Sequence, residues 1–197
     1  MKIQIIYFNG PSSSGKTTLS KALQDALDPP FLHIGIDKVI GMMPEKVNNW
    51  KGGLASLGGF YWKESKDTEG NVTQDIQTGP FAKQVVLAYQ EIVLLLARLG
   101  HFLIIDDVSL GQAEVQQWKQ KLREFSVCWI GVHASLEELE RREKERGNRI
   151  IGSARAQFFK VHQDVTYDLE INTSTQSITQ CTETILKTLK NNQKVNP

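Results

Sequence analysis

The sequence of 197 residues is poor in cysteine, balanced in charge and free of long apolar runs. Its only cysteines, Cys128 and Cys181, are too few for a disulfide scaffold or a cysteine metal cluster, so a reducing cytoplasm is the expected compartment. Lys and Arg total 23 against 22 Asp and Glu, without the basic surplus of a dedicated nucleic-acid-binding protein. Glu91 and Arg98 interrupt the most apolar stretch, and no apolar run is long enough to predict a membrane span.

Short apolar segments alternate with segments of helical periodicity along the chain. Strands are predicted at 2–8, 31–36, 102–106, 127–132 and 169–172, and helices at 16–27, 80–99, 112–124, 136–146, 154–162 and 178–189. Apolar strands that alternate with helices form parallel sheets covered on both faces. The sequence therefore predicts one α/β domain over 1–197, a three-layer fold with a central, mostly parallel five-stranded sheet that binds ligands at the carboxyl ends of its strands.

Residues 10–17, GPSSSGKT, fit the pattern G-x-x-x-x-G-K-[ST] in full, between a predicted strand and a predicted helix. Glycines let successive N–H groups turn towards phosphate oxygens, and the positive end of the helix points to the same place. Lys16 is expected to reach the β- and γ-phosphates, and the Thr17 hydroxyl to bind Mg²⁺. The predicted nucleotide site comprises Gly10, Pro11, Ser12, Ser13, Ser14, Gly15, Lys16, Thr17 and Thr18. A loop that merely joins a strand to a helix is the alternative.

Acidic residues follow two of the predicted strands. Asp106 ends an apolar strand and is expected beside the loop as the acid on the Mg²⁺ side, whereas alternation sends Asp107 to the other face. Asp37 ends the second strand, where its carboxylate could take a proton from an acceptor hydroxyl. A helix N-cap at Asp37 and a solvated acidic pair at 106–107 are the alternative interpretations.

Three classes of nucleotide-binding protein compete: kinases, switch GTPases, and nucleic-acid or motor ATPases. A GTPase needs a guanine-reading Asn-Lys-x-Asp segment after a late strand, and none follows the strand at 127–132. Small size and nearly neutral charge disfavour the third class. A kinase needs a base near the acceptor hydroxyl and cations that cover the transferring phosphate. Arginines can supply those cations.

The charged segment RREKERGNR predicts such a group of cations. Arg142, Arg146 and Arg149 fall at i, i+4 and i+7, on one face if the helix persists. Nearby glycines favour a moving lid at about 141–155. A static solvated helix, with Glu138 paired to Arg142, would show a similar pattern.

Residues 49–79 interrupt the alternation of strands and helices with glycine pairs and aromatic residues, and they predict an insertion that contains a hairpin. Phe60, Tyr61 and Trp62, together with Trp50, could wall a pocket for an acceptor that has a flat apolar part and a free hydroxyl. Packing within the hairpin is the alternative role for these side chains.

The sequence resembles the chloramphenicol phosphotransferase-like proteins, P-loop kinases that phosphorylate a hydroxyl of a small molecule. The similarity covers nearly the whole chain and rests on the segments GPSSSGKTT, GIDKVIGMMP, LIIDDVSLG and VHQDVTYDLEINTS, among others. It implies that Asp37 is the catalytic base, that Arg146 and Arg149 bind the nucleotide phosphates, and that the acceptor pocket runs from Met42 through the aromatic insertion. Asn148 and the long insertion depart from the family pattern and leave the acceptor open.

Together these patterns predict an ATP-dependent kinase that uses Mg²⁺, with Asp37, Lys16 and Arg146 as its catalytic residues. Its acceptor is a small-molecule hydroxyl, as in chloramphenicol 3-O-phosphorylation. A kinase for a nucleoside, sugar or shikimate-type alcohol and a nucleotide-gated binding protein are the alternatives. Neither nucleic acid nor a membrane is an expected partner, and the sequence leaves open whether the chain forms a homo-oligomer.

Overall fold

The computed structural model describes residues 3–47, 58–147 and 150–194. Over these residues the elements follow in the order β1 (Ile5–Asn9), α1 (Lys16–Ala26), β2 (Phe31–Gly35), α2 (Ile36–Ile40), a short 3-10 helix (Glu45–Val47), β3 (Phe60–Lys66), β4 (Val72–Thr78), α3 (Pro80–Arg98), β5 (Phe102–Asp107), α4 (Gln112–Lys121), β6 (Val127–His133), α5 (Leu136–Arg146), α6 (Ser153–Phe158), β7 (Leu169–Asn172) and α7 (Ile178–Lys194).

The central sheet has the strand order β2-β5-β1-β6-β7, and all of its pairs are parallel. This confirms the predicted α/β fold with a parallel five-stranded sheet. Asn9, at the end of β1, aligns with Asp107 of β5 and Gly131 of β6. The carboxyl ends of the three middle strands therefore meet at one edge, and the chain leaves β1 for the glycine-rich loop (residues 10–15) at that edge.

Alternate residues of β1 enter two hydrophobic cores. Ile6 and Phe8 pack with Leu19 of α1 and with α7, whereas Ile5 and Tyr7 pack with α3 and α4. Burying one such apolar side chain stabilises the fold by roughly 1.5–3 kcal/mol. Because helices cover both faces, the strands carry the continuous apolar runs expected of a parallel sheet.

A separate antiparallel hairpin of β3 and β4 lies within the 49–79 segment, as the sequence predicts. Its turn is held by Asp67, whose Oδ1 accepts hydrogen bonds from the N–H groups of Glu69 and Asn71 at 2.9 and 2.8 Å. Trp50 lies outside the described residues. At the base of the hairpin, Phe60 is buried in a small core with Ile40, Met43 and Ala82.

The structure confirms one predicted helix boundary and changes others. Helix α2 begins at Ile36 with Gly35 as its N-cap, so the expectation that Asp37 is the cap is wrong, and Asp37 lies in the first turn. Helix α5 covers Leu136–Arg146 as predicted, and it is closed by Gly147, whose φ of 62° is in the left-handed region that glycine favours. Helix α6 covers Ser153–Phe158, shorter than predicted, and α7 continues to Lys194.

Helix α3 is the one helix in the described part of the chain whose length and composition would suffice to cross a membrane. The core helix of a soluble protein can meet the same criteria. One face of α3, which includes Tyr89, Val93 and Ala97, packs against the sheet as part of the second core.

Candidate active site

The glycine-rich loop keeps polar groups unpaired inside the protein. The hydroxyls of Ser13 and Ser14 are buried and have no hydrogen-bond partner. Helix α1 begins directly after Gly15, whose φ is 92°. No side chain caps its N-terminus, and its first turn contains no acidic residue. Buried donors and an uncapped helix N-terminus are suited to an anion. The loop therefore fits the phosphate groups that its sequence predicts.

Lys16 is 6% exposed and bends back over this loop. Its Nζ donates to the carbonyl oxygens of Gly10 at 2.8 Å and Pro11 at 3.0 Å. The same nitrogen lies 4.0 Å from Oδ1 of Asp106. The ammonium group is thus held between the loop and an acidic side chain, where it can meet a phosphate bound by the loop.

Thr17 and Asp106 form a close polar pair beside the glycine-rich loop. The Thr17 hydroxyl donates to Oδ2 of Asp106 at 2.6 Å, and His33 Nε2 lies 3.4 Å from that oxygen. Burial acts to raise the pKa of Asp106, but the hydrogen bond with His33, the charge of Lys16 and the Thr17 hydroxyl together lower it. Asp106 is therefore a carboxylate at neutral pH.

This pair fits the Mg²⁺ site that the sequence predicts. A hydroxyl and a carboxylate oxygen are the hard ligands that Mg²⁺ prefers, and phosphate oxygens and waters usually complete its shell. Across the described residues, no group of three or more His, Cys, Asp or Glu side chains could hold a metal ion. A Mg²⁺ ion at Thr17 and Asp106 would thus depend on a bound phosphate.

Asp107 points to the opposite face of the sheet, as strand alternation predicts. Its Oδ2 accepts hydrogen bonds from the Tyr7 hydroxyl at 3.0 Å and Trp118 Nε1 at 2.8 Å, and its Oδ1 accepts one from Val108 N at 2.9 Å. Burial raises the pKa of this carboxyl group. Asp107 therefore joins strand β5 to the second core.

Asp37 lies at the same edge of the sheet as the loop. Gly35, two residues earlier, pairs in register with Asp106, so α2 starts beside the end of β5. The Asp37 side chain is exposed. The structure therefore puts this carboxylate where a ligand can reach it, and its role as a base stays a prediction.

Two arginines of the predicted lid, Arg142 and Arg146, lie four residues apart on α5. Arg142 donates from Nη1 to the Ser13 carbonyl at 3.3 Å and from Nη2 to the Thr173 carbonyl at 3.0 Å, and its Nε donates to Glu138 at 2.7 Å. Arg146 is exposed in the last turn of α5. Helix α5 ends there, so the condition under which Arg149 would share this face, that the helix persists, is not met within α5. Arg149 itself lies outside the described residues.

A buried glutamate that sequence reasoning missed fastens α5 to α6. Glu143, 1% exposed, accepts hydrogen bonds from Gly152 N at 2.8 Å, Ser153 Oγ at 2.6 Å and Ala154 N at 2.8 Å. Its position four residues after the buried Leu139 is the signal that could have identified it. In the charged run it is the residue turned inward.

Helix α6 contacts both the glycine-rich loop and the hairpin. Gln157 Oε1 accepts a hydrogen bond from Ser12 N at 2.6 Å. Arg155 pairs with Glu140 at 2.6 Å and with Asp67 at 2.8 Å. Burial opposes ionisation of Asp67, but hydrogen bonds from Asn71 and Arg155 lower its pKa to about 2. The lid segment and the hairpin are therefore joined by charged pairs that the sequence did not reveal.

The side chains expected to line an acceptor pocket have different environments. Phe60 is 4% exposed in the small core, so packing accounts for its ring and the expectation that it walls the pocket is not supported by its position. Met42 is 78% exposed, and Tyr61 and Trp62 are half-buried. Met42, Tyr61 and Trp62 thus keep surface that a ligand could contact.

His162 and Tyr167 lie beside the carboxyl end of β1. The Tyr167 hydroxyl accepts a hydrogen bond from Asn9 Nδ2 at 2.9 Å and lies 2.9 Å from His162 Nδ1. The imidazole rings of His162 and His133 stack with centroids 3.8 Å apart. Burial, together with His133, lowers the pKa of His162 to about 4, so the ring is neutral at physiological pH.

Solved structures share this fold at low sequence identity. The APS kinase CysC of Mycobacterium tuberculosis, in complex with AMPPNP and APS, aligns with a TM-score of 0.63 and 15% identity over 96% of this chain and 98% of that one. A gluconokinase from Sinorhizobium meliloti 1021 aligns with a TM-score of 0.61 and 14% identity over 97% and 94% of the two chains. The architecture is that of P-loop kinases.

Sequence comparison gives a narrower assignment. Two Mycobacterium tuberculosis proteins, from strains CDC 1551 and H37Rv, are 33% identical to this chain over 178 residues. The aligned region covers 87% of this chain and 75% of each relative. Both relatives are provisionally designated O-phosphotransferases. The family model described as chloramphenicol phosphotransferase-like protein matches residues 3–190. A match of this extent means that the chain belongs to the chloramphenicol phosphotransferase-like family.

Proposed function

We propose that this protein is a kinase that transfers the γ-phosphate of ATP, with Mg²⁺, to a hydroxyl group of a small molecule. The observation that carries the proposal is the arrangement of Lys16, Thr17 and Asp106 beside a loop with unpaired buried hydroxyls. Membership of a phosphotransferase family and the likeness to kinase folds support the same reaction.

The transfer assigns a separate task to each side chain. The acceptor oxygen attacks the γ-phosphorus, the bond to the β–γ bridging oxygen breaks, and ADP leaves with that bond's electron pair. Asp37 accepts the proton of the acceptor hydroxyl, and Lys16 stabilises charge on the phosphates. Thr17 and Asp106 would hold Mg²⁺, which when bound neutralises phosphate charge.

The arginines of the lid segment have two proposed roles, to cover the transferring phosphate and to position the glycine-rich loop. Arg146 and Arg149 are proposed to cover the transferring phosphate, whereas Arg142 positions the loop through its bond to the Ser13 carbonyl. Glu143 holds the α5–α6 connection that carries these groups.

The proposed acceptor is an uncharged or weakly charged alcohol with a flat apolar part, as in chloramphenicol 3-O-phosphorylation. Met42, Tyr61 and Trp62 offer apolar surface for it. A polycationic sugar would need acidic side chains. Two acids of the hairpin, Asp67 and Asp75, are instead paired with Arg155 and with Lys160 at 2.8 and 2.5 Å.

The nucleotide assignment is tested by replacing the loop lysine. Lys16→Ala should abolish turnover and weaken ATP binding in a folded protein, because the variant lacks the ammonium group that meets the phosphates. ATP affinity is measured by calorimetry, and phosphate transfer with a panel of aryl alcohols, nucleosides and sugars. Lys21→Ala, an exposed change on the same helix, is the control. Normal affinity and turnover in Lys16→Ala would rule out the assignment.

The role of Asp37 is tested by an uncharged isostere. Asp37→Asn should bind ATP normally and lose roughly 10²- to 10⁴-fold in kcat, the usual range for a general base. Asp25→Asn, an exposed aspartate on α1, should change neither quantity. An unchanged kcat in Asp37→Asn would contradict the catalytic role.

A nucleotide-gated binding protein is distinguished by a single-turnover experiment. With enzyme in excess over γ-labelled ATP and an acceptor, a kinase yields labelled acceptor, whereas a sensor leaves ATP intact. Label that appears only as inorganic phosphate would indicate an ATPase and contradict the proposed transfer.

A further inference from the structure

One N–H group of the glycine-rich loop is bound by a side chain of helix α6. Ser12 N donates to Gln157 Oε1 at 2.6 Å. In a carboxamide only the oxygen can accept a hydrogen bond from an N–H group, so this contact fixes the orientation of the amide plane. Gln157 Nε2 is bonded to the same carbon as Oε1, and it therefore also lies beside the loop.

The Nε2 group of Gln157 keeps its two N–H donors for a ligand. It has no hydrogen bond to any residue that the structure describes. Gln157 is only half-buried, and Nε2 is not enclosed by the protein. The amide thus offers donors beside the loop and carries no negative charge that would repel a phosphate.

Other N–H groups of the loop are left for the nucleotide. Within the described part of the chain, no residue accepts a hydrogen bond from the N–H groups of Ser13, Gly15 or Thr17. These groups lie at the start of α1 and just before it, where a helix N-terminus favours a phosphate. Ser12 comes earlier in the loop, and its N–H group holds Gln157 instead. The carboxamide therefore adds donors beyond the phosphate that lies at the helix.

The backbone on either side of Gln157 is held in place. Before it, Glu143 accepts a hydrogen bond from Ala154 N at 2.8 Å. After it, the Val161 carbonyl accepts one from Asn9 Nδ2 at 3.2 Å, at the end of β1. A side chain on a segment fixed in this way loses little entropy when it binds a ligand.

Helix α6 also connects the loop to the hairpin. Arg155 pairs with Asp67 at 2.8 Å, and Gln74 N donates to the Gly152 carbonyl at 3.2 Å. The hairpin carries part of the proposed acceptor surface, and the γ-phosphate is the one that an acceptor hydroxyl meets. Gln157 therefore lies on the side of the loop where the γ-phosphate would be.

We infer that Gln157 binds the γ-phosphate through Nε2 and thereby distinguishes ATP from ADP. The inference rests on the proposed function, which supplies the nucleotide. Oε1 stays on Ser12 N while Nε2 donates to a γ-phosphate oxygen. ADP lacks this phosphate and leaves Nε2 to water. Gln157 is thus a specificity-determining residue that favours binding of the triphosphate and release of the diphosphate after transfer.

Two replacements separate this role from support of the loop. Gln157→Glu keeps an oxygen that accepts from Ser12 N but replaces the donor with a negative charge, whereas Gln157→Leu removes both. Calorimetry without an acceptor measures the dissociation constants of MgADP and of MgAMPPNP, a triphosphate that is not cleaved. The ratio of the AMPPNP constant to the ADP constant should rise about tenfold in Gln157→Leu, as expected for loss of a hydrogen bond to a charged group. It should rise at least as much in Gln157→Glu.

The control is Gln116→Glu, which makes the same change of charge at an exposed position of α4 and should keep the wild-type ratio. Circular dichroism establishes that each variant is folded. An unchanged ratio in Gln157→Glu, or equal weakening of the two nucleotides, would mean that Gln157 only supports the loop and would overturn the inference. Tighter binding of both nucleotides by Gln157→Leu would also overturn it, because the side chain would then block the phosphate site.

These outcomes do not depend on phosphate transfer. The expected ratios in a protein that labels no acceptor would contradict the proposed kinase activity alone. Normal transfer with an unchanged ratio would contradict the role of Gln157 alone. Wild-type protein that binds neither nucleotide would contradict both.

Nuclear magnetic resonance of isotope-labelled protein tests the contact directly. The side-chain amide signals of Gln157 are identified by their absence from Gln157→Glu. They should shift on addition of MgAMPPNP and stay close to their nucleotide-free positions with MgADP, because only the triphosphate reaches Nε2. Equal shifts with the two nucleotides would contradict a contact with the γ-phosphate.

Discussion

Tyr89 illustrates the cost of a single buried hydroxyl. Its side chain is 2% exposed, the ring packs 5.6 Å from that of Trp118, and the hydroxyl has no hydrogen-bond partner. Burial raises the pKa of Tyr89 well above its usual range, and the negative charges of Asp107, Asp106 and Asp37 add to the rise. On folding, the Tyr89 hydroxyl therefore loses its hydrogen bonds to water and gains none within the protein.

Removal of this hydroxyl should stabilise the protein. Tyr89→Phe is expected to raise the free energy of unfolding by about 1 kcal/mol, because the variant no longer buries an unsatisfied polar group. Tyr7→Phe is the matched control. The Tyr7 hydroxyl bonds to Asp107 and Ser109, so its loss should destabilise by about 1–3 kcal/mol. Urea unfolding measures both, and equal destabilisation by the two changes would contradict the prediction.

The sequence patterns predicted the face of the sheet to which a side chain points better than they predicted the residues it contacts. Alternation along β5 correctly sent Asp106 and Asp107 to opposite faces, because neighbouring residues of a strand always point apart. The donors around Asp107 come from Tyr7 and Trp118, which are 100 and 11 residues away in sequence. Such contacts depend on strand order and helix placement, which no local pattern contains.

The packing of α5 against the start of α6 depends on the Glu143 side chain. Glu143→Gln should weaken the bonds to Gly152, Ser153 and Ala154, since a neutral amide offers one acceptor oxygen instead of two. The backbone amides of Gly152 and Ala154 should then exchange hydrogen about tenfold faster or more, as expected for loss of charged, buried bonds.

Hydrogen exchange with mass spectrometry measures this effect. Glu137→Gln, an exposed glutamate on the same helix, should leave exchange at residues 152–154 unchanged. Exchange in Glu143→Gln that matches the wild type would show that the carboxylate does not hold the connection.

Element types followed from the sequence more reliably than element ends did. Apolar runs and helical spacing predicted the central strands, most of the helices and the hairpin, because periodicity reflects which face is buried. The end of α5 before Gly147 was predicted, whereas α2 begins at Ile36, with Gly35 rather than Asp37 as its N-cap. The ion pair between Arg155 and Asp67, which are 88 residues apart, joins helix α6 to the hairpin, and no sequence pattern predicted that contact.

The stability of the whole molecule should fall on mild acidification through His162. The unfolded chain binds a proton at this residue below about pH 6.5, whereas the folded protein, with a pKa of about 4, does not. Between these values the unfolded state holds more protons, so lowering the pH favours unfolding. The half-buried ring faces His133, Tyr167 and the charge of Lys16.

Urea midpoints at about pH 7 and about pH 5 measure this dependence. His162→Gln should reduce the loss of stability between the two conditions, because the unfolded chain no longer gains that proton. His101→Gln, an exposed control, should keep the wild-type slope. Equal slopes for wild type and His162→Gln would assign the effect to other groups.

The central place of β1 has a consequence for synthesis on the ribosome. Ile5 is made among the first residues, but its partners in the sheet are Leu103 and Val127. At about 5–20 residues added per second, β1 waits on the order of ten seconds for the second of them. Until β5 has been made, five residues that end up fully buried have no sheet to join. A nascent chain that stops short of Val127 thus leaves one edge of β1 unpaired, and an unpaired strand edge of this kind makes a chain prone to aggregate.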